Sequence, residues 1–195
     1  MNERFLKQLD FIKEADRLKH VLRQAYLTDG SRKENDAEHT WHIALMASVL
    51  AEYVPGEPDL LRVIKMLLIH DMVEIDAGDT FAYDVTGNVG KFEREKEAAE
   101  RIFGILPEDQ AQAMLELWLE FEEGETVEAK FACAVDRLQP MLHNFATGGK
   151  SWNEHGVTSR QVLARAESIT ASIPELGAWT AELIGEAVKR GYLQP

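Results

Sequence analysis

The chain has 195 residues, of which 45% are hydrophobic and 28% are charged, and its formal net charge is −13. It has no apolar run near the ~20 residues of a membrane-spanning helix, and its acidity excludes long nucleic acids, whose phosphates need many Lys and Arg contacts, while permitting a small anionic substrate. The single cysteine, Cys133, and the charged N-terminus without a secretory signal predict a reducing, cytoplasmic setting without a membrane partner.

Helical patterns run along the whole sequence, whereas strand patterns are nearly absent. Apolar residues at three- and four-residue steps, together with capping and Pro/Gly signals, predict helices over residues 6–25, 37–54, 59–77, 91–103, 107–122, 126–144, 158–172 and 175–190. The polar stretches 77–90 and 146–155 are predicted loops, the first of them long enough to be functional. We therefore predict an all-α fold in which residues 1–195 form a single compact helical bundle.

A histidine and an aspartate stand side by side in the apolar third helix, as His70-Asp71. Burying both is costly unless each polar group finds a partner, and a metal ion would serve both. Glu74 lies one helical turn beyond His70, on the same side of that helix. For an isolated pair, the simpler interpretation is a core histidine satisfied by the adjacent acid.

Two other predicted helices also carry metal-ligating residue types at otherwise apolar positions. His39 and His42 lie near the start of the second helix, and Asp136 follows the small residues of AKFACAV. Helical bundles build metal sites from such inward-facing side chains. One of these histidines, together with His70, Asp71 and Asp136, would offer two nitrogens and two carboxylates, which suit Mn, Fe, Co, Ni, Zn or Mg.

Four sequence blocks strengthen the metal interpretation: LKHVLRQAYL, SRKENDAEHTWHIALMA, HDMVEIDAGD and AKFACAVDRLQP. Their order and spacing resemble the HD superfamily of metal-dependent phosphohydrolases, and more narrowly its 5′-deoxynucleotidases, over residues 15–145. The resemblance implies a helical HD domain with its metal site between helices, removal of the 5′-phosphate from deoxyribonucleoside monophosphates, and a homodimer. It also favours His39, which follows Glu38, over His42. The implied metal ligands are His39, His70, Asp71 and Asp136.

The number of metal ions follows from a second feature of the superfamily. Members with two metals resemble one another in having further histidines between the doublet and the last aspartate, and this chain has none from Met72 to Leu142. We therefore predict one divalent ion, and the missing histidines count against redox chemistry with O₂.

Two acids after the doublet are candidate catalytic residues. Glu74 is placed to take a proton from a metal-activated water, the role proposed for the matching glutamate in the family. Asp79 matches another acid of the family's site, and we assign it to substrate positioning or to proton delivery. Considered singly, Glu74 would be a solvated helix-end acid and Asp79 a turn residue after Gly78.

The substrate phosphate also needs a cation. Arg23 corresponds to the family's arginine near the end of the first helix, and Arg32 and Lys33 are second candidates. Tyr26 is expected to pack against the base or sugar of the substrate. Some family members place an aromatic residue directly after the arginine, where this chain has Gln24.

Other functions remain open at this stage. The same chemistry could act on another small phosphate ester or on a nucleoside di- or triphosphate, and the long 77–90 loop fits such a substrate. A helical ligand-binding protein without turnover is a third possibility, disfavoured because Glu74 and every implied ligand are present. Large apolar residues at helical spacings are expected in the core or in a subunit interface: Trp41, Met46, Leu50, Trp118 and Trp179.

Overall fold

The computed structural model describes residues 2–195, which fold mainly into helices. The helices are α1 Glu3–Ala15, α2 Asp36–Leu50, α3 Leu60–Ile69, α4 Glu74–Ala77, α5 Lys91–Phe103, α6 Glu108–Glu123, α7 Val127–Ala146, α8 Lys150–Glu154, α9 Ser159–Ser172 and α10 Pro174–Lys189. Two short strands, β1 Leu22–Tyr26 and β2 Lys33–Asn35, pair antiparallel. The predicted all-α class is confirmed, with this hairpin as an addition.

The predicted first helix is too long. Helix α1 ends at Ala15, a 3-10 turn follows, and the chain then extends into β1. The backbone N–H of Leu27 donates to the carbonyl of Arg32 at 3.0 Å, and Gly30 adopts a positive φ of 69° in the turn between the strands. Pairing with β2 therefore outweighs the helical periodicity of residues 22–25, an effect that a local pattern cannot include.

The predicted third helix is interrupted at the doublet. Helix α3 ends at Ile69, His70–Val73 form a 3-10 turn, and α4 follows. The Nδ1 atom of His70 lies 2.9 Å from the carbonyl oxygen of Leu67, so the ring is fixed against the preceding turn. The expectation of one continuous helix was therefore wrong where His70 and Asp71 lie.

The helix caps and loops mostly follow the sequence. Asn35 caps α2 in a capping box with Glu38, and no helix interrupts the loop over residues 78–90. The predicted 146–155 loop instead contains α8, because its Ser151 and Trp152 are buried and the backbone N–H of Trp152 donates to Asn144 Oδ1 at 3.1 Å.

Helix α7 lies between two groups of buried apolar side chains. One group forms with α2, α3, α5 and α6, and the other with α9 and α10. Ala129 and Ala132 on α7 are fully buried, which lets neighbouring helices approach closely. This packing brings Asp136 of α7 near the ends of α2 and α3. Within residues 2–195, no helix is both long enough and apolar enough to cross a membrane.

Candidate metal centre

The four predicted metal ligands converge from three parts of the chain. The Nε2 atom of His39, on α2, lies 3.0 Å from Oδ1 of Asp136 and 3.8 Å from Oδ2 of Asp71. The Nε2 atom of His70 lies 3.1 Å from Oδ1 of Asp71 and 3.7 Å from Oδ1 of Asp136. Both imidazoles are buried, and both carboxylates border a cleft.

The chemistry of this group fits a divalent cation. A carbonyl oxygen can only accept, so the contact with Leu67 places the ring hydrogen of neutral His70 on Nδ1. The buried Nε2 atom of His70 then points a lone pair toward the carboxylates of Asp71 and Asp136, and it has no hydrogen-bond partner among the described residues. A cation would convert these mutually repelling acceptors into ligands.

The charges of this group also favour protonation of His70. Burial opposes the charged form of His70, but the negative charges of Asp71 and Asp136 outweigh it and raise the pKa of His70 to about 10. Burial likewise opposes ionisation of Asp71 and Asp136, yet the two histidines hold the pKa of each carboxyl below its ordinary value. The electrostatic field of this group therefore strongly favours positive charge.

A glutamine that the sequence analysis missed supports His39. Oε1 of Gln139 lies 3.2 Å from Nδ1 of His39, while its amide nitrogen donates to Glu34 Oε1 at 2.7 Å and lies 3.2 Å from His143 and 3.3 Å from His42. His42 thus belongs to a hydrogen-bonded cluster beside the predicted metal ligands. Gln139 follows Asp136 by three residues in an apolar helix, which is a signal that could have found it. Glu34 lies between the first two predicted helices and gave no such signal.

Three acids form a second group beside the ligands. Carboxylate oxygens of Asp36, Glu74 and Asp79 lie within 4.8 Å of one another, and Asp36 and Glu74 are buried. Burial, reinforced by the charge of Asp71, raises the pKa of Asp36 to about 7 and the pKa of Glu74 well above its ordinary value. Burial also raises the pKa of Asp79. Such shifts are typical of groups that exchange protons near neutral pH.

Arg23 reaches the centre from strand β1 rather than from the end of a helix. Its Nη1 atom lies 2.7 Å from Oδ2 of Asp71 and 3.2 Å from Oδ1 of Asp36. Only 13% of its side chain is exposed. Arg23 therefore braces a predicted metal ligand and links it to the acidic group.

Two other predicted substrate residues lie apart from this cleft. The hydroxyl of Tyr26 donates to Glu154 at 3.0 Å, and the ammonium of Lys150 lies 3.8 Å from the centre of the Tyr26 ring. Arg32 forms a two-pronged, exposed ion pair with Glu38, at 2.6 and 2.8 Å. Their roles toward a substrate stay predictions.

The cleft beside the ligands encloses about 140 Å³. Its walls come from β1, the loop after α4, the start of α5, and α7 to α9. Side chains lining it that the sequence analysis did not select include Phe81, Tyr83, Lys91, Asn144, Trp152 and Arg165. A second, more open pocket adjoins it at Phe81 and Tyr83. The long loop thus borders the cleft, as expected for a functional loop.

The fold is helical, and it brings two buried histidines and two cleft-bordering aspartates into a group that suits a divalent metal ion. These features define a helical protein with a candidate metal centre. A family model described as "HD domain" matches residues 15–177, most of the sequence. The chain belongs to the HD domain family.

Its relatives carry more specific names. The Homo sapiens protein named 5′-deoxynucleotidase HDDC2 is 32% identical over 135 residues, covering 69% of this chain and 65% of the relative. The Mus musculus protein of that name is 33% identical over 135 residues, covering 69% and 66%. The chain thus spans 65–66% of the length of these curated relatives.

A solved structure is similar over nearly the whole chain. The crystal structure of a protein from Magnetospirillum magnetotacticum MS-1, described as a "predicted metal-dependent phosphohydrolase", is 54% identical. Its TM-score is 0.95, and the match covers 98% of this chain and 96% of that one. The arrangement of helices is therefore shared across both chains.

Proposed function

We propose that this protein is a metal-dependent phosphohydrolase that removes the 5′-phosphate from deoxyribonucleoside monophosphates. The observation that carries the proposal is the convergence of His39, His70, Asp71 and Asp136, whose Nε2 and carboxylate oxygen atoms face one another at 3.0–3.8 Å. The names of the HDDC2 relatives support the substrate class.

The four ligands would hold one divalent ion, of Mn, Co, Fe, Ni, Zn or Mg. When bound, such an ion supplies an activated water and neutralises charge on a phosphoryl group. His39 and His70 would contribute Nε2 atoms, since their Nδ1 atoms face Gln139 and Leu67. The carboxylates of Asp71 and Asp136 would complete the set from the cleft side.

The neighbouring residues would supply proton transfer and positioning. Glu74, buried and with a raised pKa, would accept the proton of the attacking water. Asp79 lines the same cleft and would position the substrate or return a proton to the leaving oxygen. Arg23 would hold Asp71 in place through its 2.7 Å contact.

A second candidate keeps the chemistry and changes the substrate. The open pocket that adjoins the cleft at Phe81 and Tyr83 offers room for another phosphate ester or for a nucleoside di- or triphosphate. A helical ligand-binding protein without turnover ranks last, because Glu74 and all four ligands are present in one place.

The proposal extends to assembly and location. Residues 1–195 would act as one domain in the cytoplasm, and two copies would pair through an apolar surface. Exposed Leu45 and Val49 on α2 and Trp179 on α10 border one apolar groove. Trp41, also on α2, is 65% exposed, whereas Trp118 is fully buried in the core.

The deciding experiment measures phosphate release after chelation and readdition of single divalent metals. The substrates are deoxy- and ribonucleoside 5′-monophosphates, 3′-monophosphates and triphosphates. Metal-dependent release from 5′-deoxymonophosphates alone is the expected result. Release from another member would replace the substrate and keep the chemistry, whereas no release from a metal-loaded protein would favour the non-catalytic alternative.

A further inference from the structure

The acids that line the cleft would repel an anionic substrate. A phosphate that reaches Asp71 must also approach Glu74 and Asp79, and all three are acids lining the cleft. Arg23 is the cation nearest these groups in the predicted set, but its close contacts go to Asp71 and Asp36. Both contacts use Nη1, and the buried Nε atom lies 3.9 Å from Oε2 of Glu34, so the charge of Arg23 is already shared among acids of the site.

Lys91 supplies a second positive charge on the same cleft. It is the first residue of α5, directly after the 78–90 loop, and 34% of its side chain is exposed. Its Nζ atom lies 3.2 Å from Oε1 of Glu95, whose side chain is buried. This is its only ion pair within 4 Å among residues 2–195, so an ammonium with three N–H donors keeps capacity for a ligand.

The backbone before Lys91 is also held in place. Arg94 donates to the carbonyl of Val89 at 2.7 Å and to the carbonyl of Gly87 at 2.8 Å. These contacts tie the end of the loop to the first turn of α5. Glu95 also holds the ammonium at 3.2 Å, so the side chain of Lys91 is preorganised at the cleft.

We infer that Lys91 is a phosphate-binding residue, which contacts the substrate's phosphate from the α5 side of the cleft. This inference rests on the proposed phosphohydrolase function and adds a residue to its site. Arg23 then acts mainly on the position of Asp71, while Lys91 binds the incoming anion. Glu95 keeps the ammonium oriented through its 3.2 Å contact.

The electrostatic surroundings of Lys91 agree with this assignment. Burial lowers the pKa of Lys91, but Glu95, Glu74 and Asp71 outweigh it, and the net shift is upward. Lys91 is therefore positively charged at neutral pH. Two further arginines line the cleft: Arg165, whose guanidinium lies 5.8 Å from the centre of the Tyr83 ring, and Arg137, which directly follows Asp136.

The test compares Lys91→Ala and Lys91→Arg with Lys96→Ala, a matched change of an exposed lysine on the same helix. Inorganic phosphate binding to the metal-loaded protein is measured by calorimetry, and KM and kcat are measured for 5′-deoxymonophosphates. For Lys91→Ala we expect phosphate affinity to fall and KM to rise about 10-fold or more, as for loss of a charged hydrogen bond. Metal affinity should stay within about 2-fold, and Lys91→Arg should recover much of the loss.

Two results would overturn the inference. Unchanged phosphate affinity and KM in Lys91→Ala would remove Lys91 from the site, and an equal loss in Lys96→Ala would show a general charge effect. Because phosphate binding is measured without turnover, it separates the two proposals. If phosphate binding depends on Lys91 but no nucleotide is hydrolysed, the proposed substrate is rejected and the role of Lys91 is kept. If nucleotides are hydrolysed equally well with and without Lys91, only the role of Lys91 is rejected.

Discussion

Gln139 fixes the orientation of His39 from inside the protein: its Oε1 atom lies 3.2 Å from Nδ1 of the histidine. An amide oxygen accepts, so Nδ1 carries the hydrogen and Nε2 faces Asp136 as a free lone pair. The other end of the amide is held by Glu34 at 2.7 Å. The hydrogen-bonded cluster therefore selects the tautomer that can ligate a metal.

Replacing Gln139 with Leu should weaken metal binding by about 10–100-fold, because His39 loses the group that fixes its tautomer. Competition with a chelating dye measures the affinity. Gln112→Leu, at an exposed position on α6, is the control. If Gln139→Leu binds the metal as tightly as wild type, the contact between Gln139 and His39 does not affect metal binding.

Replacing His70 or Asp71 with Ala should abolish metal binding and turnover together, since each removes a proposed ligand from a site with few substitutes. Elemental analysis of the purified wild-type protein should give one divalent ion per chain. Activity of either variant after metal removal would contradict the site. Two tightly bound ions per chain would contradict the single-metal prediction and would point to Asp36, Glu74 and Asp79 as the second group.

The sequence predicted the helices and the ligands for identifiable reasons. Apolar periodicity, the capping box of Asn35, and His or Asp side chains at apolar positions are local signals. The geometry now brings His39, His70, Asp71 and Asp136 within contact distance of one another, although their function as ligands stays a prediction.

The features that the sequence analysis did not predict depend on tertiary contacts. Strand β1 forms through pairing with β2, and this pairing, rather than a helix end, brings Arg23 to Asp71. Lys91 looks like any surface lysine of a charged amphipathic helix until the fold places it at the cleft. Glu34 and Gln139 are 105 positions apart in sequence, so no local pattern could pair them.

Replacing Glu74 with Gln should leave metal affinity nearly unchanged and reduce kcat by about 10²-fold or more, because the amide cannot accept the proton of the attacking water. Single-turnover kinetics with saturating metal measures the effect. Glu97→Gln, an exposed change on α5, controls for the altered net charge. A Glu74→Gln enzyme as fast as wild type would exclude Glu74 as the base.

Glu34 should make the metal-free protein less stable as the pH rises. Burial, opposed in part by Arg23, raises its pKa to about 7, above the value near 4.3 of an unfolded glutamate. The folded state therefore retains a proton between these values. Protonated Glu34 therefore adds to the free energy of unfolding in full below about pH 4, and this stabilisation is lost as the pH rises through 7.

Glu34→Gln should therefore gain stability relative to wild type between pH 5 and 8, by on the order of 3 kcal/mol. Urea unfolding in the presence of a chelator measures this difference at both pH values. Glu97→Gln should show no such change, because that side chain is exposed. A constant difference between Glu34→Gln and wild type would show that Glu34 does not titrate with folding.

Val49 of α2 is 61% exposed in the single chain, and the proposed pairing of two copies would place it against the partner. A glutamate there would bury charge in the interface, so Val49→Glu should raise the dimer dissociation constant at least about 10-fold. Sedimentation velocity across a concentration series measures it. Leu61→Glu, at a 62% exposed position on α3 outside the apolar groove, should leave association unchanged. Unchanged association in Val49→Glu would place the interface elsewhere, and equal weakening by both changes would show a general effect of the added charge. A wild-type protein that sediments as a monomer throughout would reject the dimer.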